Sequence, residues 1–195
     1  MTISYTNEKN RQSILEANPI SEPLGKKYKG LVASISLLTE PKDKIKEIID
    51  SNDLTEIYKI RGIGQTLRAI KHHLGELKVC WLLCTGDVDD SLEMVKHFIK
   101  INSKKMVQVV KIEIINSYHI EEVSKKIGTV YVEGVKKYDL NETDVIADLT
   151  GGTAIMSCAM VLACLPVRRD MEYVLQNSYD LIEIKENVLE IAYDR

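Results

Sequence analysis

Three observations in the 195-residue chain predict an α/β fold, an open and mostly parallel sheet with helices on both faces and a C-terminal antiparallel hairpin. Short apolar runs alternate with stretches of helical periodicity, the pattern of strand–helix–strand units. One such run, Val145-Ile146-Ala147, breaks at Gly151-Gly152 and restarts as the long apolar segment Ile155 to Leu165. Near the end, Leu181 to Lys185 and Val188 to Ala192 are joined by Glu186-Asn187, which reads as a closing hairpin.

Met1 to Lys29 is polar and broken by Pro19, Pro23 and Gly25. It reads as a short helix around Asn10 to Ala17 and a linker, so residues 1–29 are an N-terminal extension and residues 30–195 the folded domain. Leu31 to Leu38 is the first strand, closed by Thr39-Glu40-Pro41. Helical pattern runs through Ile45, Ile48 and Ile49 and resumes from Asp53 to about Leu74, where Gly62 and Gly64 weaken one continuous helix. Lys78 to Cys84 is a second strand, apolar throughout and so buried on both faces, closed by Thr85-Gly86-Asp87. A helix from Ser91 to Lys100 follows, capped by Asp89 or Asp90. Gln108 to Ile115 is the third strand, and Ile120 to Val135 is mostly helical despite the β-rich Thr129-Val130-Tyr131-Val132. Asp144 to Leu149 is the fourth strand and Asp170 to Gln176 the fifth.

If strands one to three wind one way and strand four starts the other half, strands one and four are neighbours. A cleft then opens between their carboxyl ends, as in Rossmann-like sheets. That arrangement brings Ser36, Leu37, Leu38 and Thr39 beside Thr150, Gly151, Gly152 and Thr153, with Thr85, Gly86 and Asp87 on the adjoining tip.

Composition narrows the function. The 45 % hydrophobic content supplies a full core, and a net charge of −3 without a long Lys/Arg run argues against duplex nucleic acid as a partner. Cys80, Cys84, Cys158 and Cys164 sit in apolar sequence without a Cys-x-x-Cys pair, which fits a reducing compartment. His72, His73, His97 and His119 lack metal-ligand spacing, so neither a metal nor a cofactor is expected. No apolar stretch has the length and freedom from charge of a membrane span, and the expected location is the cytoplasm.

The stretch Asp148-Leu149-Thr150-Gly151-Gly152-Thr153 carries the chemistry. A strand that turns at two glycines into a helix bares main-chain N–H groups, and the helix dipole favours an anion there. Thr150 and Thr153 add hydroxyls that can cap the helix or bond a phosphate or ribose. The same residues also suit a plain strand-to-helix turn with a threonine N-cap. No Gly-Lys-Ser/Thr follows, so the motif is not a P-loop. Gly62-Ile63-Gly64 begins like a dinucleotide fingerprint but follows a helical segment and lacks the third glycine. Trp81, Met156 and Met160 have core spacing, with Met156 close enough to the turn to touch a base. Arg168-Arg169 reads as a solvated loop.

Val145 to Met156, V-I-A-D-L-T-G-G-T-A-I-M, resembles the signature of CRISPR-associated Rossmann-fold (CARF) domains, in which a strand ends in Asp-x-Thr-Gly-Gly-Thr-Lys-x-Met. The resemblance covers the chain from Gly30 to Arg195. It implies a homodimeric sensor that binds a cyclic oligoadenylate, most often the tetramer, across its two-fold axis and switches an antiviral effector. Gly151 to Thr153 and Thr150 would hold the ribose–phosphate backbone. Ser36 to Thr39 and Thr85 to Asp87 would hold adenine and ribose, and Met156 would lie near a base. A ring with two-fold symmetry matches an isologous dimer, because each protomer recognises half of it. One departure matters: Ala154 stands where the family often has lysine, which removes a charge-assisted bond to phosphate. No catalytic residue is assigned, and a ring nuclease that degrades the messenger is the alternative function. The effector would be a partner protein or a membrane module joined through the N-terminal arm.

Overall fold

The computed structural model describes residues 25–184. The strands are β1 (Gly30–Ile35), β2 (Val79–Thr85), β3 (Gln108–Ile114), β4 (Val145–Asp148), β5 (Met171–Val174) and β6 (Leu181–Ile184). They form one sheet in the order β3-β2-β1-β4-β5-β6, parallel except for β6, which runs antiparallel to β5. The order reverses between β1 and β4, so their carboxyl ends flank the crevice expected of a doubly wound sheet.

Between β1 and β2 lie α1 (Lys42–Asp50), α2 (Leu54–Tyr58) and α3 (Gly64–His73). Then come α4 (Asp89–Asn102) before β3, α5 (Ile120–Thr129) before β4 and α6 (Ala154–Cys164) before β5. Ile49, Leu67 and Ile70 from α1 and α3, with Phe98 from α4, pack on one face of the sheet with Leu31 and Leu82. Val123, Ile127, Met156 and Met160 pack on the other face with Val32, Trp81 and Val145. Each fully buried Leu, Ile or Phe contributes about 1.5–3 kcal/mol of transfer free energy. Both faces of the central strands are therefore secured by ordinary apolar burial.

Several boundaries differ from the sequence reading, for identifiable reasons. β1 ends at Ile35 because Ser36 turns away, its N–H donating to the Gly62 carbonyl at 3.1 Å. The segment expected as one interrupted helix is two, α2 and α3, with residues 59–63 laid between them. α4 begins at Asp89 rather than Ser91, so Asp89 and Asp90 are first-turn residues and not caps. The β-rich stretch after α5 stays helical as a π-helical turn, Val130–Gly134, that buries Val130 and Tyr131. Gly134 seats there against the Trp81 ring, and a Cβ would stand 3.2 Å from its Nε1.

Arg169, read as loop, lies 4.1 Å from the centre of the Tyr131 ring and donates to Glu142 at 2.8 Å. Cys158, read as apolar, is exposed, whereas Cys80, Cys84 and Cys164 are buried. The antiparallel edge is β5 with β6, the latter being the first arm of the expected hairpin. The second arm, Val188 to Ala192, and the helix around Asn10 to Ala17 lie outside the described residues.

Candidate functional site

At the carboxyl ends of β1 and β4 a cavity of about 520 Å³ opens, within the range of small-ligand sites. Three walls enclose it: the β1 exit with Ser36, Leu37 and Thr39; the β4 exit with Thr150, Gly151 and Gly152; and the α2–α3 turn from Tyr58 to Thr66. Gln176 and Tyr179, from the β5–β6 turn, complete the lining.

The β4 exit is built by Thr150 and Gly152. The Thr150 N–H donates to Asp148 Oδ1 at 3.0 Å, and its hydroxyl donates to the same oxygen. That hydroxyl also accepts from the Val174 N–H at 2.7 Å, so it ties the turn to β5. Gly152 has φ +83°, a left-handed conformation, and a Cβ there would lie 2.9 Å from the Ser34 Cβ. Thr153 is the N-cap of α6, its hydroxyl accepting from the Met156 N–H at 3.3 Å. Of the two threonines that suited a cap, Thr153 takes that role and Thr150 braces the strand ends.

The opposite wall is fixed backbone to backbone. Gly62 has φ +92°, and a Cβ there would sit 2.3 Å from the Leu37 carbonyl oxygen. Only glycine lets the α2–α3 turn lie this close to the β1 exit. The hydroxyl of Thr66, on α3, donates to the Ser34 carbonyl at 2.9 Å, which locks α3 onto β1. The lining therefore receives two helix starts, α3 at Gly64 and α6 just beyond Gly152, each with a partial positive charge at its N-terminus. Lys59 and Arg61 are its charged side chains, and no Asp or Glu lines it.

Beneath the floor is a buried polar cluster. Asp148 and Glu172 are register partners on β4 and β5, both without solvent exposure. Burial, then the neighbouring Glu172, pushes the Asp148 carboxyl up to about 7, although the hydrogen bonds from Thr150 pull it down. Burial, with Glu183 adding to it, raises Glu172 well above the carboxylate range. His73 Nε2 lies 2.9 Å from Glu172 Oε2, and the Tyr28 N–H donates to His73 Nδ1 at 3.2 Å. Nδ1 is thus an acceptor, which assigns the proton to Nε2 and makes the imidazole neutral. Its depressed pKa, about 3, agrees, with burial as the main cause. Arg68 Nε, from the same helix, donates to the Tyr179 carbonyl at 2.9 Å and links this cluster to the cavity lining.

Of the residues singled out from sequence, Ser36, Leu37, Thr39, Thr150, Gly151 and Gly152 line one cavity. The others do not line it. Leu38 packs on the core, and Thr153 caps its helix. Met156 is fully buried beneath Gly152 and packs in the core. Thr85, Gly86 and Asp87 lie outside the lining, and Asp87 Oδ1 accepts from the Asp89 N–H at 3.4 Å. The wall from Tyr58 to Thr66 escapes a reading of the sequence. Its signal is Gly62-Ile63-Gly64, an incomplete dinucleotide fingerprint that here shapes a turn against the β1 exit. Gln176 and Tyr179 have no local signal, because the β5–β6 turn delivers them.

Fold and cavity define a Rossmann-like α/β domain with a ligand-sized crevice at the switch point of its sheet. The chain shares that fold with Enterococcus italicus Csm6, solved bound to cyclic hexa-2′-fluoro-hexa-dAMP: TM-score 0.52 and 17 % identity over 84 % of this chain and 36 % of that one. Can2 from Sulfobacillus thermosulfidooxidans, solved in complex with cyclic tetra-adenylate, aligns with TM-score 0.42 and 15 % identity over 80 % of this chain and 37 % of that one. The chain thus spans a little over a third of the length of each. No family model and no curated protein matches it. Among the described residues no helix is long and apolar enough to cross a membrane, and no cluster of His, Cys, Asp or Glu is suited to a metal ion.

Proposed function

We propose that residues 30–195 are a CARF domain that binds a cyclic oligoadenylate, preferring the tetramer, across the axis of a homodimer and relays its binding to an antiviral effector in the cytoplasm. The observation that carries this reading is the shared cavity. The β1 exit and the Gly151-Gly152 turn, two of the three segments the family resemblance singles out, line one crevice that holds no carboxylate, while Thr85 to Asp87 lies outside it. An anionic ring needs such a lining, since an ionised acid there would repel phosphate. Shared fold with Csm6 supports the reading at the level of architecture. Ser36, Leu37, Thr39, Thr150, Gly151 and Gly152 are the ligand contacts we assign, with the main-chain donors of the Gly-Gly turn on phosphate. The segment ahead of Tyr28, which itself packs into the domain core, is the arm through which an effector, such as a membrane module, would be joined.

Calorimetric titration with cyclic tri-, tetra- and hexa-adenylate tests the reading. The tetramer is expected to bind at one ring per two chains, with a dimer in sedimentation equilibrium. A monomer indifferent to all three rings would overturn it. Ala154 in place of the family's lysine favours a sensor over a ring nuclease, so chromatography of the bound ring after prolonged incubation is expected to return it intact.

A further inference from the structure

Ala154 leaves the Gly-Gly turn without the cation that the resemblance leads one to expect, yet the crevice is not short of positive charge. Lys59 and Arg61 line it from the opposite wall, and it contains no acid although the chain carries 29 Asp and Glu residues. The two cations differ in their commitments. Lys59 Nζ donates to Glu56 Oε1 at 2.7 Å, an i,i+3 pair on the protein surface. Arg61 is exposed, and among the described residues no carboxylate, carbonyl or ring engages its guanidinium. Its backbone is nonetheless well fixed. The next residue, Gly62, accepts from the Ser36 N–H at 3.1 Å, and the Gly64 N–H donates to the Ile60 carbonyl at 2.7 Å. A pinned main chain bearing an unengaged arginine at the rim of an acid-free cavity is suited to an anion that arrives from outside.

We propose that Arg61 is the phosphate-holding residue of this site, supplying from the α2–α3 turn the charge absent at Ala154. The inference rests on the cyclic-oligoadenylate reading and assigns the charge within it. A guanidinium offers two parallel N–H donors to a phosphate, and such charge-assisted forks are shorter and stronger than neutral hydrogen bonds. Opposite it the main-chain donors of Gly151 and Gly152 take the other side of the ribose–phosphate chain. The ligand backbone is thereby gripped between a fixed dipole and a mobile cation.

The test uses the full chain and cyclic tetra-adenylate, with dissociation constants measured across a salt series. Arg61→Ala is expected to weaken binding about tenfold or more. It also lowers the slope of log Kd against log salt by about 0.7 for each phosphate that is no longer neutralised. Arg61→Lys keeps the slope and recovers part of the affinity. Lys137→Ala, a cation on the far face of the sheet, leaves the slope unchanged. All three variants keep the wild-type Tm, because none removes a buried side chain. Wild-type affinity and slope in Arg61→Ala, with the ring still bound, would overturn the assignment and leave the functional reading standing. A lowered Tm with an unchanged slope would also overturn it, as the mark of a structural role. Failure of the wild-type chain to bind the ring overturns the functional reading and this assignment with it.

Discussion

Replacing Asp148 by asparagine removes a titratable group from beneath the site while keeping its shape. Asp148 Oδ1 accepts from the N–H and hydroxyl of Thr150, whereas Oδ2 is buried without a partner among the described residues. Burial and the adjacent Glu172 raise its pKa from 3.8 to about 7. A folded-state pKa above the unfolded one means that the native state favours the protonated acid. That contribution is complete below pH 3.8 and is lost as the pH rises through 7. Roughly three pKa units at about 1.36 kcal/mol each set a ceiling of about 4 kcal/mol on the loss. The amide of Asp148→Asn stays neutral at every pH. The variant should therefore match wild type near pH 4 and exceed it in stability at about pH 8. At about 2–4 °C per kcal/mol for a domain of this size, the gap reaches about 8–16 °C in Tm. Thermal melts of both proteins across that pH range measure it. Parallel profiles would refute the reasoning, since they would mean that Asp148 is ionised in the native state or that water reaches it.

Thr150→Val leaves the Val174 N–H and Asp148 Oδ1 each short of a partner, and is expected to cost about 2–3 kcal/mol by urea melts. It should also push the Asp148 carboxyl higher still, because the Thr150 bonds hold it down. Gly152→Ala forces a side chain into φ +83° and against Ser34, so a loss of about 1–3 kcal/mol in the same melts is expected before any ring is added. Its effect on ring uptake is meaningful only beside that of Arg61→Ala. Cys158 alone among the four thiols should react with a bulky alkylating reagent in the native state; burial also raises the Cys84 and Cys164 thiols to about 11. Mass spectrometry after brief labelling reads this directly, and prompt modification of Cys80 would contradict the packing described.

Much of the architecture was legible because buried strands and amphipathic helices write their period into the chain. Val79 to Cys84 is apolar throughout, and its strand is covered on both faces; Ile45 and Ile49 lie one turn apart and both pack inward. Strand ends were less legible. Leu31 to Leu38 looks uniformly strand-like, yet its last residues leave the sheet to meet Gly62, a residue far along the chain. The Val130–Gly134 turn defeated local propensity for a related reason: packing of Tyr131 against the core outweighed the β preference of its neighbours.

The site divides along the same line. By itself the sequence determined the strand–helix alternation of a mostly parallel sheet. That the order reverses between β1 and β4, so that the exit after Ile35 meets the Gly-Gly turn, was conditional in the sequence and decided by the structure, since several strand orders share the same alternation. The sequence also marked Gly151-Gly152 as a place where main-chain donors are bared. Only the tertiary structure decided which side chains share the crevice. It sent Met156 into the core, turned Asp87 toward its own helix and brought in the wall bearing Arg61. Those outcomes depend on packing between segments far apart in sequence, whose energies no local pattern records.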